Sequence, residues 1–176
     1  MYVINLFGPP GVGKSTIASE IFSLLKKKGI ETELCTEFAK RLVWEGRTAT
    51  LHDNLYVFAK QNSTLVQLAR NGIQYAVTDS PLPLCLAYTK EGYYQNFKNI
   101  VMEVFHNYQN VNFYLSSTHR YSRVGRVQNE EESKMIDQKL RVILPEENID
   151  FMELPSNNST AGVVVEKLAS MGILNV

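Results

Sequence analysis

Apolar and polar positions change period along the chain, and each change marks an element. "YVINLF" (2–7) is a short, nearly continuous apolar run, as expected of a strand buried on both faces. After a glycine-rich stretch, Ile17, Ile21, Leu24 and Leu25 recur at helical spacing, and Gly29 supplies a stop. "IETELCTE" (30–37) predicts a second strand, and a helix follows over 37–44 that Gly46 ends. Leu51, Leu55, Phe58, Leu65 and Leu68 form one apolar stripe over 51–70, closed by "NG" at 71–72. "IQYAVTD" (73–79) predicts a third strand, after which Ser80 can cap a helix whose first residue is Pro81. An aromatic-rich helix is expected over 94–109 and a strand at "VNFYLS" (111–116). A helix with Met135, Ile136, Leu140 and Ile143 inward, a strand at 149–154 and a helix at 159–171 complete the series.

Strands alternating with helices imply an α/β fold, a parallel sheet of about five strands with helices on both faces. In such sheets ligands bind beyond the carboxyl ends of the strands. Gly8, Glu37, Asp79 and Ser116 all fall at predicted strand ends, so several polar groups are expected on one rim.

Composition narrows the picture further. The 176 residues are expected to form one domain, 1–176, large enough for a substantial core. Lys+Arg and Asp+Glu are equal at 18 each, so no overall basic field draws the chain to nucleic acid or membrane. Cys35 and Cys85 form no CxxC pair and read as small apolar core residues of a reducing compartment. His52, His106 and His119 show no metal spacing. No apolar run approaches the ~18 residues needed to span a bilayer, and no signal peptide precedes the first strand. A cytoplasmic location is expected.

The stretch "GPPGVGKS" (8–15) carries the chemistry. Gly8-x4-Gly13-Lys14-Ser15 matches the P-loop pattern and lies between a strand and a helix, as the motif requires. Gly8, Gly11, Val12 and Gly13 would turn backbone N–H groups around phosphate oxygens, and the helix N-terminus adds partial positive charge. Lys14 should reach the β- and γ-phosphates of ATP, the Ser15 hydroxyl should ligate Mg²⁺, and Thr16 should lie beside the α-phosphate.

A P-loop ATPase needs a carboxylate to position water, commonly a Glu after the Asp that ends a hydrophobic strand. Here Asp79 is followed by Ser80 and Pro81. A kinase needs instead an acceptor site, a nearby carboxylate and a lid that excludes water. Glu37 stands where a carboxylate can orient an acceptor hydroxyl or take its proton, or it pairs with Lys40 or Arg41 one helical turn on. Asp79 is suited to Mg²⁺ or its waters, with the base role as second choice. The stretch 118–130 is the lid candidate: Arg120, Arg123 and Arg126 can converge on phosphates, or pair with Glu130, Glu131 and Glu132. Arg120 and Arg126 are the preferred pair. Trp44, Tyr56 and Phe58, and likewise Tyr88, Tyr93 and Tyr94, either stack an acceptor base or belong to the core. "LPSNNST" (154–160) can border the adenine.

"GPPGVGKST", "TEFAKRLVWEGR", "LYVFAKQ", "VTDSPLPL" and "GRVQNEEES" together resemble a group of bacteriophage P-loop kinases, kin to nucleotide and ribosylnicotinamide kinases. Some members are described as 5-hydroxymethyl-deoxyuridine DNA kinases. The resemblance runs from about residue 2 to residue 145. It implies a P-loop kinase-type three-layer fold with an arginine-bearing lid. It also implies phosphorylation of the hydroxymethyl group of a modified pyrimidine in phage DNA, a step toward hypermodified bases, in the host cytoplasm. Carried over, Lys14 and Ser15 would hold MgATP, Asp79 and Glu37 would be the acidic pair, and Arg120 and Arg126 would close the lid.

A DNA acceptor makes physical demands. The base must be flipped or single-stranded to meet the γ-phosphate. A basic strip is needed beside the pocket, for which Lys40, Arg41, Arg47, Lys60 and Lys90 are candidates. The rival readings are a kinase of free nucleosides, nucleotides or ribosylnicotinamide, and a nucleotide-dependent ATPase switch with no acceptor.

Overall fold

The computed structural model describes residues 1–116 and 129–174. Its strands are β1 (Tyr2–Phe7), β2 (Thr32–Cys35), β3 (Tyr75–Thr78), β4 (Gln109–Ser116) and β5 (Met152–Pro155). All pair in parallel, in the spatial order β2-β3-β1-β4-β5. The helices are α1 (Lys14–Lys27), α2 (Phe38–Trp44), α3 (Thr48–Leu51), α4 (Asn54–Arg70), α5 (Phe97–His106), α6 (Glu130–Glu146) and α7 (Thr160–Ser170), with a 3-10 segment at Leu82–Tyr88. Parallel neighbours cannot be joined by tight turns, so each connection carries a helix across a face of the sheet. This is the α/β architecture expected from the alternation.

Side-chain alternation along β1 sorts the core into two halves. Ile4 and Leu6 pack with Ile17, Ile21 and Leu25 of α1 and with Val164 and Leu168 of α7. Val3 and Phe7 pack with Phe58 and Leu65 of α4, Val101 and Phe105 of α5, and Leu140 and Leu144 of α6. Each such buried side chain stabilises the fold by roughly 1.5–3 kcal/mol relative to exposure. Asn5 interrupts the apolar run of β1 yet is only 1% exposed. Its amide donates to Asn110 Oδ1 and Asn112 Oδ1, both at 2.9 Å, and to the Val3 carbonyl at 3.2 Å. A polar group in the central strand is tolerated because β4 brings matching acceptors beside it.

Several elements differ from the sequence expectation, each for a local reason. The stripe over 51–70 is two helices, because Asp53 accepts the Tyr56 N–H at 3.0 Å and starts α4 afresh at Asn54. Leu51 therefore ends α3, and Leu55 is 42% exposed. Pro81 precedes a 3-10 segment rather than opening an α-helix, and the Leu84 N–H bonds to the Pro81 carbonyl three residues back at 2.9 Å. Ser80 does not cap it; its own N–H donates to Thr78 Oγ1 at 3.1 Å. In α6 the buried row is Ser133, Ile136, Leu140 and Leu144, while Met135 is 54% exposed. Neighbours at 135 and 136 point about 100° apart on a helix, so only one can face the sheet. The arginine stretch 117–128, with Arg120, Arg123 and Arg126, lies outside the described residues. Beyond it, α6 opens with a capping box between Asn129 and Glu132, and Glu130 pairs with Lys134 at 3.0 Å. Among the described residues, no helix is long and apolar enough to cross a membrane.

Cys35 belongs to the packed interior, while Cys85 is half-buried and borders the cavity described below. Desolvation pushes the Cys35 thiol up to about 12 from its ordinary 9.0, and it raises Cys85 as well. The native Cys35 thiol thus keeps its proton where an unfolded one loses it. Its burial stabilises fully below pH 9.0, and that contribution declines as pH rises toward about 12. In a Cys85→Ser variant, Ellman's reagent at about pH 8 is expected to leave the native Cys35 thiol unlabelled over minutes and to titrate it in denaturant. Rapid native labelling would contradict this.

Candidate functional site

The phosphate-loop candidate leaves β1 at Gly8 and enters α1 at Lys14. Gly8 holds φ at +137° and Gly13 at +101°, values that L side chains rarely adopt. A Cβ on Gly8 would stand 2.7 Å from the Leu115 carbonyl oxygen of β4, so the loop can lie against the sheet only without a side chain there. Gly13 is the N-cap of α1 and offers no side-chain cap, and the first turn holds no acidic residue. The leading N–H groups and the positive end of the helix are thereby left to an external anion.

Three side chains hold the loop by its carbonyls. Lys14 Nζ donates to the Gly8 and Pro9 carbonyls at 2.8 and 2.9 Å. Ser133 Oγ of α6 donates to the Pro10 carbonyl at 2.7 Å. Ser156 Oγ, after β5, donates to the Val12 carbonyl. Val12 braces the loop from within: its side chain is buried and its N–H turns to the Pro9 carbonyl at 3.4 Å. Ser133 carries no sequence motif. Ser156 lies in the segment assigned above to the adenine, and its hydroxyl is spent on the loop.

The acidic candidates occupy different positions on the same rim. Glu37 is the N-cap of α2, with φ −62° and ψ 115°, and its carboxylate makes no capping bond. Arg41 turns away to Glu45 at 2.7 Å, so the helical pair with Glu37 considered above is not formed by that arginine. Asp79 follows β3 and is only 3% exposed, and its Oδ1 has no hydrogen-bond partner among the described residues. A buried carboxylate oxygen in that condition is costly unless a cation satisfies it. Its hard oxygen chemistry fits Mg²⁺ with its waters, alongside the Ser15 hydroxyl. Among the described residues, no group of three or more His, Cys, Asp or Glu forms a protein cage for a metal. Mg²⁺ held chiefly by substrate phosphates and water does not need one.

A cavity of about 420 Å³ joins the loop to an apolar slot. Gly11, Gly13, Lys14 and Ser15 of the loop border it, as does Glu37. Val43, Val57, Phe58, Leu84, Tyr88 and Tyr93 give it an apolar, aromatic wall. Gly8, Val12, Thr16 and Asp79 are not part of its wall. Two hydrogen bonds join the start of α4 to the aromatic wall: Asn54 Nδ2 donates to the Tyr88 carbonyl at 3.2 Å, and the Leu55 N–H donates to the Tyr93 hydroxyl at 3.0 Å. The aromatic candidates therefore separate. Phe58, Tyr88 and Tyr93 reach the cavity, Trp44 and Tyr94 are exposed by 68% and 69%, and Tyr56 packs edge-on against Phe38. The basic candidates separate too. Arg41 and Arg47 both pair with Glu45, Lys60 lies over the Tyr56 ring at 5.7 Å, and Lys40 and Lys90 border the cavity.

Gln61 also borders the cavity and was not singled out from the sequence. The available signal was a polar residue on the buried face of α4, where only Phe58 and Leu65 would be expected.

No curated protein matches the chain. Deoxyadenosine kinase from M. mycoides, in a structure with products dCMP and a flexible dCDP bound, is similar at a TM-score of 0.58 and 18% identity, over 96% of this chain and 99% of that one. The same kinase with bound dCTP is similar at a TM-score of 0.59 and 17% identity, over 96% and 99%. At such identities the likeness is one of fold. The family described as an AAA domain matches residues 3–161. With its loop of glycines and lysine between β1 and α1 and a match over most of its length, the chain belongs to that AAA domain family.

Proposed function

We propose that this protein is an ATP-dependent kinase that moves the γ-phosphoryl group to a hydroxyl of a nucleoside-type acceptor. One observation carries the reading: a single cavity joins the phosphate-loop candidate and Glu37 to an apolar, aromatic-lined slot. A protein that only hydrolyses ATP has no use for the slot, and its volume of about 420 Å³ lies in the range of small-molecule sites.

In this reading Lys14 and the N-terminus of α1 hold the β- and γ-phosphates, while Ser15 and Asp79 hold Mg²⁺. Mg²⁺ supplies charge neutralisation on the phosphate oxygens. The acceptor oxygen forms a bond to the γ-phosphorus as the bond to the bridging oxygen breaks, releasing ADP. Glu37, on the cavity wall, takes the hydroxyl proton. Arg120 and Arg126 are proposed to close over the transferring group, and that part of the reading rests on the sequence.

The slot suits one base with its sugar, as in a free nucleoside or nucleotide. The fold shared with a deoxyadenosine kinase supports the same class. A second reading, 5-hydroxymethyl-deoxyuridine in phage DNA, is supported by the sequence resemblance and by Lys40 and Lys90. Both lysines border the cavity, and neither is in an ion pair with a described residue.

A screen with γ-labelled ATP separates these readings. Label on a free deoxynucleoside or nucleotide is the expected result. Label on DNA only when it contains the hydroxymethyl base would establish the second reading. Its rate would then fall with added salt, less steeply after Lys40→Ala and Lys90→Ala. Label released as phosphate at the same rate without any acceptor would sink both and leave a nucleotide-hydrolysing switch.

A further inference from the structure

The buried amide of Gln61 grips the backbone on both sides of Glu37. Its Oε1 accepts the Phe38 N–H at 3.0 Å, and its Nε2 donates to the Thr36 carbonyl at 3.3 Å. Those two groups belong to the peptide units that flank the Glu37 Cα, so one side chain from α4 restrains the backbone torsions that aim the carboxylate. Nε2 also donates to Cys35 Sγ at 3.3 Å. Gln61 is only 4% exposed, and the orientation of its amide follows from its partners: oxygen toward an N–H, nitrogen toward a carbonyl.

A backbone grip of this kind is not required for α2 to form. The Phe38 N–H lies in the first turn of the helix, where a simple side-chain cap or water would satisfy it. The sequence instead places a glutamine at a core position, where it donates and accepts at once. Among uncharged residues of this length, no apolar side chain can do that.

We infer that Gln61 is a positioning residue that fixes the Glu37 carboxylate at the acceptor hydroxyl, a role that rests on the kinase reading above. It acts through Glu37 and has no separate part in ATP binding. A displacement of about 1 Å in a catalytic group costs on the order of a hundredfold in rate, which sets the scale of its contribution.

The test is a double-mutant cycle on the whole chain, with the acceptor identified by the screen. Gln61→Met keeps volume and removes both backbone bonds, together with the one to Cys35 Sγ. It is expected to lower kcat by about tenfold to a hundredfold, with KM for ATP and the affinity for a fluorescent ATP analogue unchanged. Glu37→Gln lowers turnover more than ATP affinity. The double variant is expected to be no slower than Glu37→Gln alone, because the amide then has no carboxylate to aim.

Gln61→Glu supplies a readout that packing alone would not move. A protonated carboxyl donates and accepts as the amide does, and burial raises its pKa. The ratio of its kcat to that of the unmodified chain is expected to rise as pH is lowered from about 8 to about 6, with circular dichroism unchanged. The same variant keeps the test decisive if Gln61→Met does not fold.

Losses that add in the double variant, a pH-independent ratio, or an unchanged kcat in Gln61→Met would each overturn the inference and leave the kinase reading intact. A raised KM for the acceptor with kcat unchanged would also overturn it, making Gln61 a contact of the acceptor. Absence of transfer from the unmodified chain to any acceptor removes the kinase reading, and this role with it.

Discussion

Lys14→Ala is expected to abolish the proposed ATP-dependent transfer, with a loss of about a thousandfold or more in turnover. The reason lies in what surrounds the ammonium. Its Nζ stands 2.8 Å from the Gly8 carbonyl and 2.9 Å from the Pro9 carbonyl, held inside the loop where phosphate oxygens would arrive. Removing it leaves two carbonyl dipoles facing the incoming anion, and within the loop itself backbone N–H groups and the α1 terminus to attract it. Arginine does not rescue, because a planar fork cannot replace a compact ammonium between two carbonyls in a tight loop. Thermal unfolding with and without MgATP checks the binding part. Saturating MgATP, at about 100 times Kd, stabilises the unmodified chain by about 2.7 kcal/mol and leaves the variant unmoved. An equal shift in both would remove Lys14 from phosphate binding.

Gly8→Ala is the largest expected effect on stability, with a loss of about 3 kcal/mol. Two costs coincide at this position. The φ of +137° is one that alanine rarely adopts, and the added Cβ would lie 2.7 Å from the Leu115 carbonyl oxygen. That oxygen belongs to the backbone of β4, which is paired with β1 through Tyr114 and with β5 at Leu115 itself, and cannot yield as a side chain would. Relief requires the loop to lift from the sheet, so MgATP stabilisation should disappear as well. In a chain of this size such a loss lowers Tm by roughly 6–12 °C. Gly13→Ala is the instructive contrast. There the close neighbour is Ser156 Oγ at 2.8 Å, a hydroxyl that can rotate away by giving up its bond to Val12. Its destabilisation should be the smaller. Equal unfolding temperatures for Gly8→Ala and the unmodified chain would refute the argument.

Much of the fold was legible because its signals are short-range. The apolar run 2–7, the glycine loop and the helical spacing of Ile17, Ile21 and Leu25 lie within one contiguous stretch, and each obeys a local rule. Glu37 and Asp79 could be assigned to one rim because parallel strands bring their carboxyl ends together whatever their order. The errors also have local causes. Leu55 and Met135 are apolar residues one step off their stripes, and composition alone does not say which neighbour turns inward. The single helix over 51–70 divides because a side-chain cap at Asp53 competes with helix continuation, an effect that hydrophobic spacing does not register.

By itself, then, the sequence determined the alternation of strands and helices, the phosphate-loop candidate and the rim on which the polar groups gather. The tertiary structure decided the rest: β1 placed between β3 and β4, Lys40 and Lys90 brought to a cavity that Arg41 and Arg47 do not join, and Gln61 closed on the backbone around Glu37 from a helix more than twenty residues away. The physical reason is range. Propensity and periodicity act over a few residues. A cavity wall, a buried amide with two backbone partners, or a carbonyl too close for a methyl group exists only after distant segments have packed.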